Sequence, residues 1–243
     1  MEALQEVAEW FEPSQKIAVI TGAGMSTESG IPDFRSAKGL YNEQINEGVP
    51  MEEVLSRSFF DKYPKEFYRI YKEKLLYPSA LPNKGHLFLK HLEDMGHDVT
   101  VITQNIDGLH QKACSGNVLE LHGNANNVIT QSGKLARFDE TSMNEKGLSI
   151  SGEWARPAIT LYGEALDTAV LKSSIQAVKT ADILLVMGTS LNVYPAAGLI
   201  YDYTGSKSAL INKGSTPLNT YFEFIFDETI SGWVDALSAY LSD

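Results

Sequence analysis

The sequence predicts an α/β fold, a doubly wound parallel sheet carrying a second, smaller lobe, and three observations lead there. First, "KIAVITGAG", "DVTVITQNIDG", "ADILLVMGTSL" and "SKSALINKG" each run from a continuous apolar strand into a polar or glycine-rich loop. Strands without alternation belong to a sheet covered on both faces. Second, helical apolar spacing fills the gaps, over 84–96, over 169–181 and in "GWVDALSAYL" near the end. Third, the unusual polar residues follow the strands, at the carboxyl ends where ligands of such sheets bind.

Taken in order, Leu4, Val7, Ala8 and Phe11 form the apolar stripe of an N-terminal helix packed on the core. The first strand ends in "TGAGMSTESG", bare glycine backbone opening a helix, which is one way to hold pyrophosphate. A tight turn without a ligand would use the same glycines. The dehydrogenase fingerprint is imperfect, with Thr27 at its third glycine and no ribose-binding acid about 20 residues on. Asp33, Phe34 and Arg35 follow a proline, on a constrained loop suited to covering a cofactor ring while holding phosphate or ribose. Residues 36–80 read as loop plus helices, and 124–157 as short strands with a Ser-Gly hairpin signal. These two insertions build the small lobe, leaving 1–35, 81–123 and 158–243 as the large domain.

Past the second strand, Gln104, Asn105 and Asp107 can fix ribose hydroxyls or a carboxamide. Asp107 could equally cap the helix that follows. After the third strand, Gly188 and Ser190 precede Pro195, which can start a helix. Asn212 takes the equivalent place on the fourth. Four strand ends thus bring uncharged polar groups to one crevice, which suits a dinucleotide better than a bare phosphate. His122, between an apolar strand and a glycine, has three readings: core residue, metal ligand or catalytic base.

The chain of 243 residues has room for one core plus a satellite module. Its net charge of −11 argues against a nucleic-acid partner. The single cysteine, Cys114, excludes an intrachain disulfide and a Cys-cluster metal site, and fits a reducing compartment. The first residues are acidic where a signal peptide is basic, and no apolar run approaches the roughly 20 residues that span a bilayer. A soluble, cytoplasmic protein with no membrane partner is expected.

Six segments in order, "GAGMSTESGIPDFR", "TQNIDGLH", "ELHG", "RPAITLYGE", "GTSLNVYPAAGL" and "IN", resemble the motif series of the sirtuins and span 21–212. The resemblance implies a Rossmann-like NAD-binding domain and NAD-dependent removal of acyl groups from protein lysines. Its products would be nicotinamide, O-acyl-ADP-ribose and free lysine. It assigns His122 as the base toward the ribose hydroxyls, with Asn105 and Asp107 beside it in catalysis; a neutral imidazole suits that proton transfer. For the phosphate and nicotinamide-ribose loop it assigns Gly22, Ala23, Gly24, Ser26, Thr27, Asp33, Phe34, Arg35 and Tyr41. Gln104, Asn105 and Asp107 match ribose and nicotinamide contacts, and Gly188, Thr189, Ser190, Asn212 and Lys213 the adenosine half. Tyr162, Gly163, Glu164 and Val193 match the acyl-lysine channel, where an extended peptide pairs with backbone. A monomer acting on acyl-lysine proteins or peptides is expected, with His86, His91, His97 and His110 structural or solvated.

Two departures from the family stand out. Most sirtuins hold a structural zinc with two CxxC pairs after the "HG", whereas 123–158 contains neither Cys nor His. "ITQSGK" reads as a knuckle whose cysteines are replaced, at Ile129 and Ser132, so no zinc is expected. Val128, Leu135, Phe138, Leu148, Ile150 and Trp154 are the expected substitute core. Sirtuins favouring acidic acyl groups carry Tyr and Arg three residues apart; here those positions are Tyr68 and Tyr71, which predicts neutral groups, acetyl or longer. Two rival activities share the same motifs: NAD-dependent mono-ADP-ribosyl transfer, and NAD sensing without turnover.

Overall fold

The structure, a computed structural model, describes residues 2–12, 14–33, 39, 44–45, 49–144 and 147–241. Helix α1 (Glu2–Glu9) precedes strand β1 (Lys16–Thr21), which enters a 3-10 turn, Ala23–Ser29. A short antiparallel pair, β2 (Gln44–Ile45) and β3 (Val49–Pro50), leads to helices α2 (Met51–Val54), α3 (Arg57–Lys62) and α4 (Pro64–Lys74). Next come α5 (Lys84–Asp94), β4 (Asp98–Thr103), α6 (Leu109–Lys112) and β5 (Val118–Glu120). Five strands then follow closely: β6 (Gly123–Thr130), β7 (Leu135–Arg137), β8 (Ser142–Asn144), β9 (Gly147–Ile150) and β10 (Glu153–Ile159). The chain closes with α7 (Thr168–Thr180), β11 (Ile183–Met187), β12 (Lys207–Ile211), β13 (Phe224–Phe226) and α8 (Ile230–Ser238).

Six strands form one parallel sheet in the order β13-β12-β11-β1-β4-β5. Both faces are covered, as the unalternating strands require. In β1, Ile17 and Val19 pack toward α1, α5 and α8 with Phe11, Phe88 and Trp233. Ala18 and Ile20 pack toward the opposite layer with Val178 and Leu199. Local signals set the helix starts: Asn83 Oδ1 accepts from Gly85 N, Asp167 Oδ1 from Ala169 N and Val170 N, and Thr229 Oγ1 from Gly232 N. From β1 the chain proceeds to β4 and β5 on one side and returns to β11, β12 and β13 on the other. The order therefore reverses between β1 and β11, and a crevice opens at their carboxyl ends. Strand β13, three residues at the sheet edge, had no sequence signal long enough to predict it. Among the described residues no helix is long and apolar enough to cross a membrane.

The other sheet is antiparallel, β7-β6-β10-β9-β8, and packs with α2, α3 and α4 around a separate core. Its centre is aromatic: Phe60 meets Phe67 at 4.9 Å between ring centroids, and Tyr71 stacks on Phe138 at 5.4 Å. Of the expected core residues, Val128, Phe138 and Leu148 are buried and Ile150 packs from the margin. Leu135 is 61% exposed and Trp154 38%, a correction with a geometric cause. Leu135 pairs with Ile129 on the outer face, and Ala155 takes the inward position next to Trp154. The rings of α4 fill the space instead.

At the turn after β6, Ser132 N and Oγ both donate to the Glu153 carboxylate, and Lys134 N donates to Thr130 Oγ1 at 3.1 Å. These bonds tie the 130–134 turn to the start of β10.

Phe67→Ala is expected to destabilise the protein by about 3–5 kcal/mol in a denaturant titration, the cost of emptying a buried aromatic site. Leu135→Ala, on the exposed face, should stay within about 0.5 kcal/mol.

Candidate active site

The crevice is a cavity of about 850 Å³, toward the upper end of the range for small-molecule sites. Where β1 and β11 end, their turns touch through backbone alone. Gly24 N donates to Gly188 O at 2.8 Å, and Gly22 N to Met187 O at 3.2 Å. A Cβ on Gly188 would lie 2.3 Å from Met25 N, and its φ of +63° already favours glycine. No side chain fits between these strands, so the cavity wall there is bare backbone, formed by Gly22, Ala23, Gly24 and Gly188.

A hydrogen-bonded support lies beneath the glycine turn. Asn105 Nδ2 donates to Gly22 O at 2.9 Å and to Ser26 Oγ at 3.1 Å. Ser26 Oγ donates to Asp107 Oδ2 at 2.7 Å, while Asp107 Oδ1 accepts from Leu109 N at 2.8 Å. Asp107 thus accepts the first N–H of α6, just ahead of its N-cap Gly108, and also braces the turn; burial pushes its carboxyl up, against the pull of those two bonds. Ser26, Asp107 and Asn105 line a small second cavity, whereas Asn105 and Gln104 also reach the main one. Thr27 Oγ1 donates to Gly24 O at 3.0 Å, closing the turn from the solvent side. Gln104 Nε2 donates to Thr189 Oγ1 at 3.2 Å, linking the ends of β4 and β11. Asp33, Thr189, Ser190, Asn212 and Lys213 complete the wall on this side. Phe34, Arg35 and Tyr41 lie outside the described residues.

His122 faces the same cavity and is held at two points. Its Nδ1 lies 2.9 Å from Gln104 O, and its own carbonyl accepts from Thr160 N at 2.9 Å. A carbonyl can only accept, so Nδ1 carries the proton and Nε2 keeps the lone pair. Burial lowers the imidazole pKa and so favours the neutral ring, an effect partly offset by the bond to the Gln104 carbonyl. Gly123 makes this position possible: its φ is +78°, and a Cβ there would lie 2.1 Å from Ala158 O.

Beyond His122 the wall becomes apolar with Leu55, Ile106, Ile159 and Leu161; the last three lie inside the motif segments, but none was given a role from the sequence. The adjoining loop places Tyr162, Gly163 and Glu164 at the cavity opposite Val193. Tyr162 N donates to Leu55 O and Arg57 N to Tyr162 O, both at 2.9 Å, so this loop is itself strand-paired to the first insertion. The Glu164 carboxylate is gripped by Arg156 at 2.6 and 2.9 Å, by Arg57 at 3.1 Å and by Leu161 N at 2.9 Å. Burial alone would raise this carboxyl, but the bonds from Arg156 and Leu161 N outweigh it and hold the group at about 2. Arg57 and Arg156, one from each insertion, were given no role from the sequence, although Arg156 opens the segment "RPAITLYGE". Tyr68 and Tyr71 line neither cavity; they are buried in the small-lobe core, with hydroxyls donating to Ala155 O at 3.3 Å and Ala125 O at 2.9 Å.

Comparison with known proteins agrees with this architecture. The Sir2 family model matches residues 22–195. An NAD-dependent protein deacetylase of Clostridium perfringens is 42% identical over 233 residues, covering 94% of this chain and 96% of that protein. One of Cutibacterium acnes is 40% identical over 235 residues, 96% of each chain. A solved Sir2 structure with a deacetylated p53 peptide and 3'-O-acetyl-ADP-ribose superposes with a TM-score of 0.84 at 31% identity, covering 98% of this chain and 99% of that one. Another, Sir2 bound to acetylated peptide, gives 0.79 at 30% identity over 97% of both. With its glycine crevice, its strand-end amides and a relative 42% identical over nearly its whole length, the chain belongs to the Sir2 family.

Proposed function

We propose that the chain is an NAD-dependent protein-lysine deacylase acting on neutral acyl groups, and that His122 is its catalytic base. The observation that carries this reading is the imidazole of His122, its Nδ1 held by Gln104 O, on the wall of a cavity that joins bare glycine backbone to an apolar slot. The crevice fits NAD: backbone at two strand ends accommodates pyrophosphate, and Gln104, Asn105, Ser190 and Asn212 offer amide and hydroxyl partners for ribose. NAD, bound there as co-substrate, would supply an activated ribose for the acyl-amide oxygen, with nicotinamide as leaving group; acyl transfer to a ribose hydroxyl with the uptake of one water would then give O-acyl-ADP-ribose and free lysine.

This chain's residues divide the remaining work. His122 Nε2 takes a proton from a ribose hydroxyl while the Gln104 carbonyl steadies Nδ1–H. Asn105 keeps the turn's backbone in place through Gly22 O, and Asp107 locks Ser26 under it. Leu55, Ile106, Ile159 and Leu161 exclude water from the acyl chain and offer an acidic acyl group no cation. Tyr162, Gly163, Glu164 and Val193 flank the lysine stem, with Glu164 shaping the loop through its arginines. The lobe near Glu153 does not fit a structural zinc: 123–158 contains no Cys or His, and Thr130, Ser132 and Glu153 are hard oxygen donors. We read it as metal-free, and the protein as a cytoplasmic monomer, consistent with its single cysteine.

The central test is turnover of an acetyl-lysine peptide with and without NAD. His122→Ala should lower kcat by about 10²–10⁴-fold, the usual contribution of a general base, while NAD still binds. NAD label accumulating on protein with the peptide still acylated would favour ADP-ribosyl transfer, and binding without turnover would favour a sensor. Since the His122 pKa is lowered and the base works deprotonated, activity should persist below pH 6.5 and fall only as that lowered pKa is crossed.

Glu164→Gln should raise the peptide KM about tenfold, the scale of one charged hydrogen bond, with the NAD KM unchanged. Chelation should leave the melting temperature of the protein unaltered, and metal analysis should find no stoichiometric zinc.

A further inference from the structure

Two buried histidines play no part in the mechanism above, and their surroundings are unusual. His86 on α5 and His110 on α6 are 0% and 1% exposed, with ring centroids 4.8 Å apart. Among the described residues, His86 Nε2 and His110 Nδ1 are both buried without a hydrogen-bond partner. Each ring's other nitrogen is engaged. His110 Nε2 lies 3.0 Å from Thr21 Oγ1, and His86 Nδ1 lies 3.0 Å from Asn83 Oδ1 and 3.3 Å from Asn83 N. Orphaned buried polar atoms are rare, and two on adjacent rings call for one explanation.

A neutral imidazole has one donor and one acceptor, so each outer bond dictates what the inner nitrogen presents. The Thr21 hydroxyl, fully buried against His110, can donate to His110 Nε2 or accept from it. His86 Nδ1 stands between two groups of Asn83: the backbone N–H, which donates to it at 3.3 Å in the cap of α5, and Oδ1 at 3.0 Å, which can only accept. With Nδ1 protonated on both rings, or Nε2 protonated on both, the two inner nitrogens present one donor and one acceptor. Only a mixed arrangement sets like against like. Burial holds both rings well below the ordinary histidine value, His86 at about 4 and His110 at about 3, the latter lowered further by His86, so neither is charged near neutrality.

The ends of this chain lie on either side of the glycine turn. Thr21 immediately precedes Gly22, and Asn83 Nδ2 donates to Met25 O at 2.8 Å and Ser29 Oγ at 3.0 Å. We propose that His86 and His110 share a hydrogen bond, completing a Thr21–His110–His86–Asn83 relay that positions the 21–29 turn for the dinucleotide. The pair are positioning residues, and the role rests on the reading of this turn as the NAD site.

Nitrogen-15 long-range correlation spectra of the unliganded wild-type protein test the bond directly. Both histidines should show the same neutral tautomer, with the proton on Nδ1 of each ring or on Nε2 of each. Different tautomers on the two rings, or a ring charged at pH 7, would overturn the proposal. Calorimetric NAD titrations test the positioning. His86→Leu and His110→Leu should each weaken NAD binding by about tenfold, the scale of a buried hydrogen bond left half made. The double variant should bind no worse than either single one, because it strands neither ring. Losses that multiply in the double variant would refute the coupling. Should a variant fail to fold, the wild-type spectra still decide. If the wild type binds no NAD, the dinucleotide reading fails while the tautomers still judge the pair.

Discussion

The site depends on one close approach, the contact of the turns after β1 and β11. Gly24 N reaches Gly188 O at 2.8 Å because neither of these two residues carries a side chain. That contact fixes the floor of the crevice at the point where the sheet order reverses. Everything polar nearby serves to keep it. Asn105 holds Gly22 from below, Thr27 closes Gly24 from outside, and Gln104 ties β4 to Thr189 across the gap. Bare backbone is a strong binding surface only when it cannot move, which is why so many side chains are committed to support.

Much of this was legible in the sequence because strand-to-loop transitions are written in residue type. Unbroken apolar runs gave the covered sheet, and Gly22, Gly24, Gln104, Asn105, His122, Gly188 and Asn212 stand at strand ends where the structure places them on the cavity. Less visible were contributions set by tertiary contact. Ser26 reads as a ligand contact in sequence, and Asp107 as a ligand contact or a cap; in the fold both brace the turn from beneath. Leu55, Ile106 and Ile159 are ordinary apolar residues until three separate elements meet. Arg57 and Arg156 lie about a hundred residues apart and converge on one carboxylate, which no local pattern encodes. Register decides the remainder: the pairing of Leu135 with Ile129 turned a plausible core residue outward.

The Glu164 ion pairs also explain how two insertions far apart in sequence act as one lobe. Arg57 belongs to α3 and Arg156 to β10, and the loop between β10 and α7 carries the shared carboxylate. Leu55 and Arg57 add main-chain pairing to the same loop at Tyr162. The loop at Tyr162–Glu164 is therefore built into the junction of both insertions, so its shape and the lobe's integrity stand or fall together.

The aromatic core of the lobe has a consequence for chemical stress. Stacked rings such as Tyr71 on Phe138, with the Ser132–Glu153 bonds at the turn, hold together a segment that has no thiol between 123 and 158. Peroxide and other thiol oxidants attack thiolates first and would release a metal held by them. Between 123 and 158 they find no thiolate to attack, so the scaffold beside the Tyr162–Glu164 loop has no thiol to lose.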